Sequence, residues 1–295
     1  MPLNTATVGQ ITAAQEHRVD ARWIMAYAAG LGDLDPRMMD TALHSPVVAH
    51  PVFPVCIEWP LVLAAARVPG SETATRAEGA RGVHAAHDLH IHRPIRAGDV
   101  LRTTAEIVGL EVRKPGAVQL TRLATIDVDG APVCTTWQTG ISRGVAITGE
   151  PRIGAEVPAL PSDAGTEPCD ITASLAVPVG AAHIYTECAR IWNPIHSDRA
   201  VALAAGLPDI ILHGTATLAL AVTGIVRLSR DPANNLALGG DLTRVCRLGG
   251  RFSAMVPVPD TLTLEVYARA SDGVRFRVRN GAGVVAISQG FLCWR

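Results

Sequence analysis

Ile191-Trp192-Asn193-Pro194-Ile195-His196-Ser197-Asp198 and, after eleven intervening residues, Ile210-Ile211-Leu212-His213-Gly214 frame the second half of the chain. Between them, Asp198 to Gly206 has helix-forming composition, with an acidic start and a glycine stop. After Gly214, residues 215–227 (TATLALAVTGIVR) read as a second helix, rich in Ala and Leu and nearly apolar all round. A helix of that kind belongs in a core. Strands follow it: Thr261–Ala268 alternates with period two, then Val274–Val278 and Val284–Ser288.

Working outward, the first half shows the same order with different residues. Tyr27 through Asp33, Asp35 and Pro36 precedes His50-Pro51 and an apolar run, as Tyr185 through Asn193-Pro194 precedes His213-Gly214. Arg93-Pro94 through Asp99 and Leu101 pairs with Val256-Pro257 through Asp260 and Leu262. The offsets are 158 residues from Pro36 to Pro194, 163 from His50 to His213 and 161 from Asp99 to Asp260. A near-constant offset over three landmarks indicates two copies of one fold. The first copy supplies strands at Val100–Val108, Gln119–Asp127 and Val133–Gln138. Residues 148–169, with four prolines and three glycines and no hydrophobic period, read as the linker between a lobe over 1–147 and a lobe over 170–295. A long buried helix followed by antiparallel strands, twice over, predicts an α+β fold with sheet wrapped around helix.

Bulk properties exclude several classes. Hydrophobic residues are 48% and charged residues 18%, enough to bury sizeable cores. A net charge of −1 with scattered basic residues gives no footprint for nucleic acid or an anionic membrane. Aromatics at 4% are too few for a base-stacking platform. Apolar runs are broken before membrane-span length, and the start carries no signal-peptide pattern. Six cysteines without a Cys-x-x-Cys pair fit reduced thiols in a cytoplasmic protein.

The Asn193-Pro194-x-His196 segment, the short helix after it and the His213-Gly214 pair resemble the MaoC-like, (R)-specific enoyl-CoA hydratase (hydratase 2) family. That resemblance implies a double hot-dog, in which two antiparallel sheets wrap long central helices, with a catalytic C-terminal lobe and a degenerate N-terminal one. It implies an acyl thioester on CoA or an acyl carrier protein as partner, with no metal and no other cofactor. It also implies His196 as base and acid, Asn193 positioning water, and Gly214 N–H holding the thioester oxygen. Physical chemistry supports those roles. Histidine exchanges protons near neutral pH, and an unpaired N–H at a helix N-terminus favours developing negative charge.

One position departs from the family. The acidic partner of the histidine should stand two residues before Asn193, where this chain has Ile191, or Arg190 if the loop carries an extra residue. Glu187 is the best local substitute. The departure leaves three readings open: a hydratase or dehydratase using another acid or His196 alone, a non-catalytic acyl-thioester-binding partner subunit, and a hot-dog thioesterase. His213 is either a substrate-side ring or one that only sets the turn. Arg247 and Arg251, with Arg244, suit the phosphates of a CoA-type carrier, or form a solvated edge. His84, His87, His90 and His92 fit no common zinc spacing and read as structural or cleft-lining. Gly30-Leu-Gly32 lacks the rest of a phosphate-binding loop. Monomer and homodimer both fit two lobes in one chain.

Overall fold

A computed structural model describes residues 3–72, 82–154, 157–161, 169 and 171–295. The first half contains β1 (Leu3–Asn4), β2 (Gln15–Arg18), α1 (Ala21–Gly30), α2 (Pro36–Met39), α3 (Pro54–Ala65), β3 (Gly82–Ile91), β4 (Val100–Arg113), β5 (Gly116–Ile126), β6 (Pro132–Arg143), β7 (Ile147–Thr148) and β8 (Arg152–Ile153). The second contains β9 (Ile171–Val177), α4 (Ala181–Ala189), α5 (Arg199–Ala204), α6 (Gly214–Leu228), β10 (Val245–Phe252), β11 (Asp260–Ala270), β12 (Gly273–Arg279) and β13 (Val285–Trp294). Among the described residues, no helix is long and apolar enough to cross a membrane.

Local sequence explains where the helices begin and end. Asp20 caps α1 by accepting from Trp23 N–H at 2.7 Å. Asp198 caps α5 by accepting from Ala200 N–H at 2.9 Å, and Gly206, at φ +80°, turns the chain away after it. α3 and α6 are the central helices. Glu58 and Arg227 are their only charged residues, and both helices sit inside one apolar core shared by the two halves.

The sheet runs β2-β4-β5-β6-β3-β10-β13-β12-β11-β9, with β8 on β4, giving eleven strands among the described residues. The two antiparallel half-sheets therefore join edge to edge along β3 and β10 to make the double hot-dog. Leu89 faces Leu248 across that seam, and His87 faces Gly250. Both leucines are fully buried, and each such side chain contributes roughly 1.5–3 kcal/mol. Gly249 is required by the close approach of the strands. A Cβ there would stand 2.0 Å from the His87 carbonyl oxygen.

The strands expected from alternation are present, and β4, β6 and β13 run five to six residues longer than their alternating stretches. Of residues 148–169, 155–156 and 162–168 lie outside the described residues. Arg152–Ile153 forms a short strand against Gly109-Leu110, and Ala159 accepts from Arg247 at 3.0 Å on the outer face of the seam.

Candidate active site

His196 sits in a single 3-10 turn, Pro194–His196, that follows α4. Asn193 starts this turn by accepting from Ile195 N–H at 3.5 Å, and Pro194 fixes its first residue. His196 is 9% exposed. Its Nδ1 lies 2.8 Å from the Ile211 carbonyl oxygen. A carbonyl only accepts, so Nδ1 carries the proton and Nε2 of the neutral ring carries the lone pair. Burial lowers the pKa of His196 to about 4, against a smaller opposing effect of the Ile211 bond. The ring is held neutral at ordinary pH.

The His213 ring stacks on His196, with centroids 3.7 Å apart and planes 26° from parallel. Its Nε2 lies 3.4 Å from Thr186 Oγ1, whose own proton goes to the Ala182 carbonyl. Burial first, and then the neighbouring His196, hold His213 well below the usual histidine range, while the Ile191 backbone works the other way. His213 is also the residue before α6, and its side chain makes no capping bond. The first-turn N–H groups of α6 thus lack a side-chain acceptor and point their partial positive charge outward. Gly214 begins that turn beneath Phe252, whose ring would lie 3.0–3.2 Å from a Cβ at this position. Tyr185 donates to Thr215 Oγ1 at 3.1 Å and lies 3.3 Å from the hydroxyl of Tyr27, its counterpart in the first half.

The other sequence candidates lie elsewhere. Ile191 is buried in the shared core, and Arg190 turns outward with its guanidinium 3.9 Å above the Trp23 ring. Glu187 is exposed and lines an outer groove with Asp20, Arg22, Trp23, Cys188 and Arg190. Arg247 forms a two-pronged pair with Asp88, at 2.9 and 2.7 Å, which ties the seam together rather than leaving it free for phosphate. Arg251 bonds Gln289 on an exposed face, and Arg244 holds the carbonyls of Ala237 and Arg295. The four histidines of residues 84–92 divide. His90 lies 3.2 Å from Asp88 on the outer face, His92 is 3.1 Å from Thr135 Oγ1, and His84 and His87 turn inward.

The equivalent place in the first half is built differently. Val52 N–H donates to His50 Nδ1 at 3.1 Å, so His50 Nε2 donates to Thr223 Oγ1 at 3.2 Å, and Thr223 donates to Asp33 at 3.0 Å. Arg227 reaches the Gly32 carbonyl at 2.6 Å, and Arg230 reaches Asp35 at 2.6 Å. The loop whose sequence matches the second-half motif is thus strapped to α6. The partners are far apart in the chain, so spacing alone gave no sign of this.

Two family models cover most of the chain. Residues 6–136 match the FAS1-like dehydratase domain region, and residues 168–289 match the MaoC-like domain. The second half of the chain is a MaoC-like domain. Among curated relatives, an enoyl-CoA hydratase (ChsH3) of Mycobacterium tuberculosis is 26% identical over 186 residues, which is 63% of this chain and 60% of that protein. A MaoC-like dehydratase from Phytophthora capsici superposes with a TM-score of 0.81 at 20% identity, covering 97% of this chain and 96% of the other. A Mycobacterium tuberculosis protein with a double hot-dog fold superposes at 0.59 with 19% identity, covering 97% and 95%. At these identities the structural likeness establishes the fold.

Proposed function

We propose that this MaoC-like chain catalyses reversible hydration of an enoyl thioester, carried on CoA or an acyl carrier protein, to the 3-hydroxyacyl thioester. The carrying observation is the fixed His196 tautomer. Its Nε2 lone pair is presented while the stacked His213 connects it to the uncapped first turn of α6. In the forward direction Nε2 takes a proton from water as the water oxygen bonds C3. The enolate oxygen rests on the Gly214 N–H, and the His196 imidazolium returns its proton to C2, so the net change is addition of one water. Asn193, at the start of the turn that carries His196, orients the water.

With Ile191 in place of a carboxylate, His196 has no acidic partner among the described residues to raise its basicity. Three outcomes follow. His196→Ala should lower turnover, read as loss of the enoyl-thioester ultraviolet band, by about 100-fold or more. Glu187→Gln, in the outer groove, should leave it unchanged. The kcat/KM of the wild type should also stay flat from about pH 6 to 8, because a base with a pKa near 4 is already deprotonated there. Full activity of a folded His196→Ala protein would remove the assignment, and a fall in Glu187→Gln would identify the acid.

The buried Ile191 also favours a second reading, an acyl-thioester-binding subunit without turnover. Tight binding of enoyl-CoA with an unchanged absorbance band would select it.

A further inference from the structure

His84 and His87 take no part in the chemistry above. In an unbroken strand, residues three apart face opposite sides of the sheet. A register shift between His84 and Ala86 breaks the alternation in β3 and brings the two rings together on the inner face, with centroids 5.4 Å apart. His87 is 1% exposed and shares its face with the core residues Leu89 and Ile91. Both of its ring nitrogens are buried without a hydrogen-bond partner among the described residues. Of its two cross-strand neighbours, Gly250 brings no side chain, and Gln138 of β6 brings an amide that leaves both His87 nitrogens unpaired. The His84 ring lies 4.8 Å from the Phe252 ring, and Phe252 is the ring that packs on Gly214. One aromatic side chain therefore separates this histidine pair, contributed by the first half, from the helix end where the thioester oxygen would sit.

A buried imidazole with neither nitrogen paired is unfavourable, and a leucine would fill much the same space without that cost. We propose that His87, with His84 beside it, is a specificity-determining site for an uncharged oxygen, a hydroxyl or a ketone, on the acyl group beyond the reacting carbons. This rests on the acyl-thioester reading given above. The chemistry of the pair selects the class. Burial takes His84 to about 3 and His87 to about 4, so both rings are neutral at pH 7. His84 Nε2 lies 3.1 Å from the Ala86 carbonyl and so keeps its proton, leaving a lone pair on Nδ1. Neutral His87 offers one donor and one acceptor. The two nitrogens point away from each other, so one ligand oxygen meets one of them: a hydroxyl can donate to the bare nitrogen or accept from the N–H, a ketone can only accept, and a carboxylate finds no positive charge in the pair. A plain alkyl group leaves His87 unpaired, and sites built to bond a substrate oxygen discriminate against analogues that lack it.

The test is calorimetric titration of the full chain with saturated acyl-CoAs of equal length. One carries a plain alkyl group, a series carries a hydroxyl or ketone at successive distal positions, and one ends in a carboxylate. Binding is read rather than turnover, so the result does not depend on catalysis. The wild type should bind the best hydroxyl or ketone ligand about five- to thirty-fold more tightly than the alkyl one, and the carboxylate no better than the alkyl one. In His87→Leu the preference should shrink to within about twofold, and in His87→Gln, which keeps a donor and an acceptor, part of it should survive. If His87→Leu fails to fold by its melting curve, the wild-type selectivity and the Gln variant decide. Equal wild-type affinity for alkyl and every oxygenated ligand overturns the inference and leaves the thioester reading standing. Binding of none of the ligands overturns the thioester reading, and the inference falls with it.

Discussion

Glu58 is the one charged residue of α3 and is 2% exposed, accepting from Thr136 Oγ1 at 2.5 Å. Burial raises its pKa from 4.5 to about 7, while the Thr136 bond works in the other direction. The folded state thus holds the Glu58 proton more tightly than the unfolded state does. Its stabilising contribution is full below about pH 4.5 and is lost as pH rises through 7. Glu58→Gln should therefore leave stability little changed at pH 5 and raise it at pH 8, by at most about 3 kcal/mol, in urea unfolding. An equal effect at both pH values would remove this account. At this scale the sequence was legible where partners are near. Asn193 bonds a residue two positions away, and His196 one fifteen away. Glu58 and Arg247 find their partners 78 and 159 residues away, so spacing could not separate the Arg247–Asp88 pair from a phosphate contact.

Helix α6 shows how an element can serve both halves. Thr223 and Arg227 are four apart, which puts them on one face of the helix, and with Arg230 in the turn after it they grip the loop Gly32–Asp35. Thr223→Val keeps the volume but removes the hydroxyl that joins His50 to Asp33, leaving His50 Nε2 unpaired and Asp33 with Arg227 at 3.8 Å. The expected cost is about 2–3 kcal/mol in denaturant unfolding, and a variant as stable as the wild type would show that the bonds contribute nothing. Legibility varied among elements for a physical reason. The strands β4 and β11 were readable because burial alternates over residues 100–107 and 261–266, one face inward and the other outward. The seam strands β3 and β10 were harder to read. Their alternation is broken by a register shift near His84 and by Gly249-Gly250, and both features make sense only once the strands lie side by side. The central helix α6 was plain from its apolar run, whereas the strap across it was invisible.

For the whole molecule, the buried histidines set the response to acid. His50, His84, His87 and His196 titrate at about 4, 3, 4 and 4 in the fold, and burial is the leading cause in each. Each pKa is depressed from 6.5, so the unfolded chain binds the extra protons. The stability they contribute is present above about pH 6.5 and is lost as pH falls through 4. Glu58 has the opposite sign but is one group against four. The denaturation midpoint should fall steeply between about pH 6.5 and 4, and a flat midpoint over that interval would contradict these burials. The seam between β3 and β10 has another consequence. In a homodimer of single lobes, one altered codon changes both sides of the two-fold at once. Here the mirror positions are inherited separately. The first-half loop could keep Asp33 and place Met38 where the second half has His196, and become a strap. The second-half loop could exchange a carboxylate for Ile191. His84 and His87 could arise on one wall of the seam with no duplicate on the other. Covalent fusion gives each half its own mutational history within a single rigid sheet.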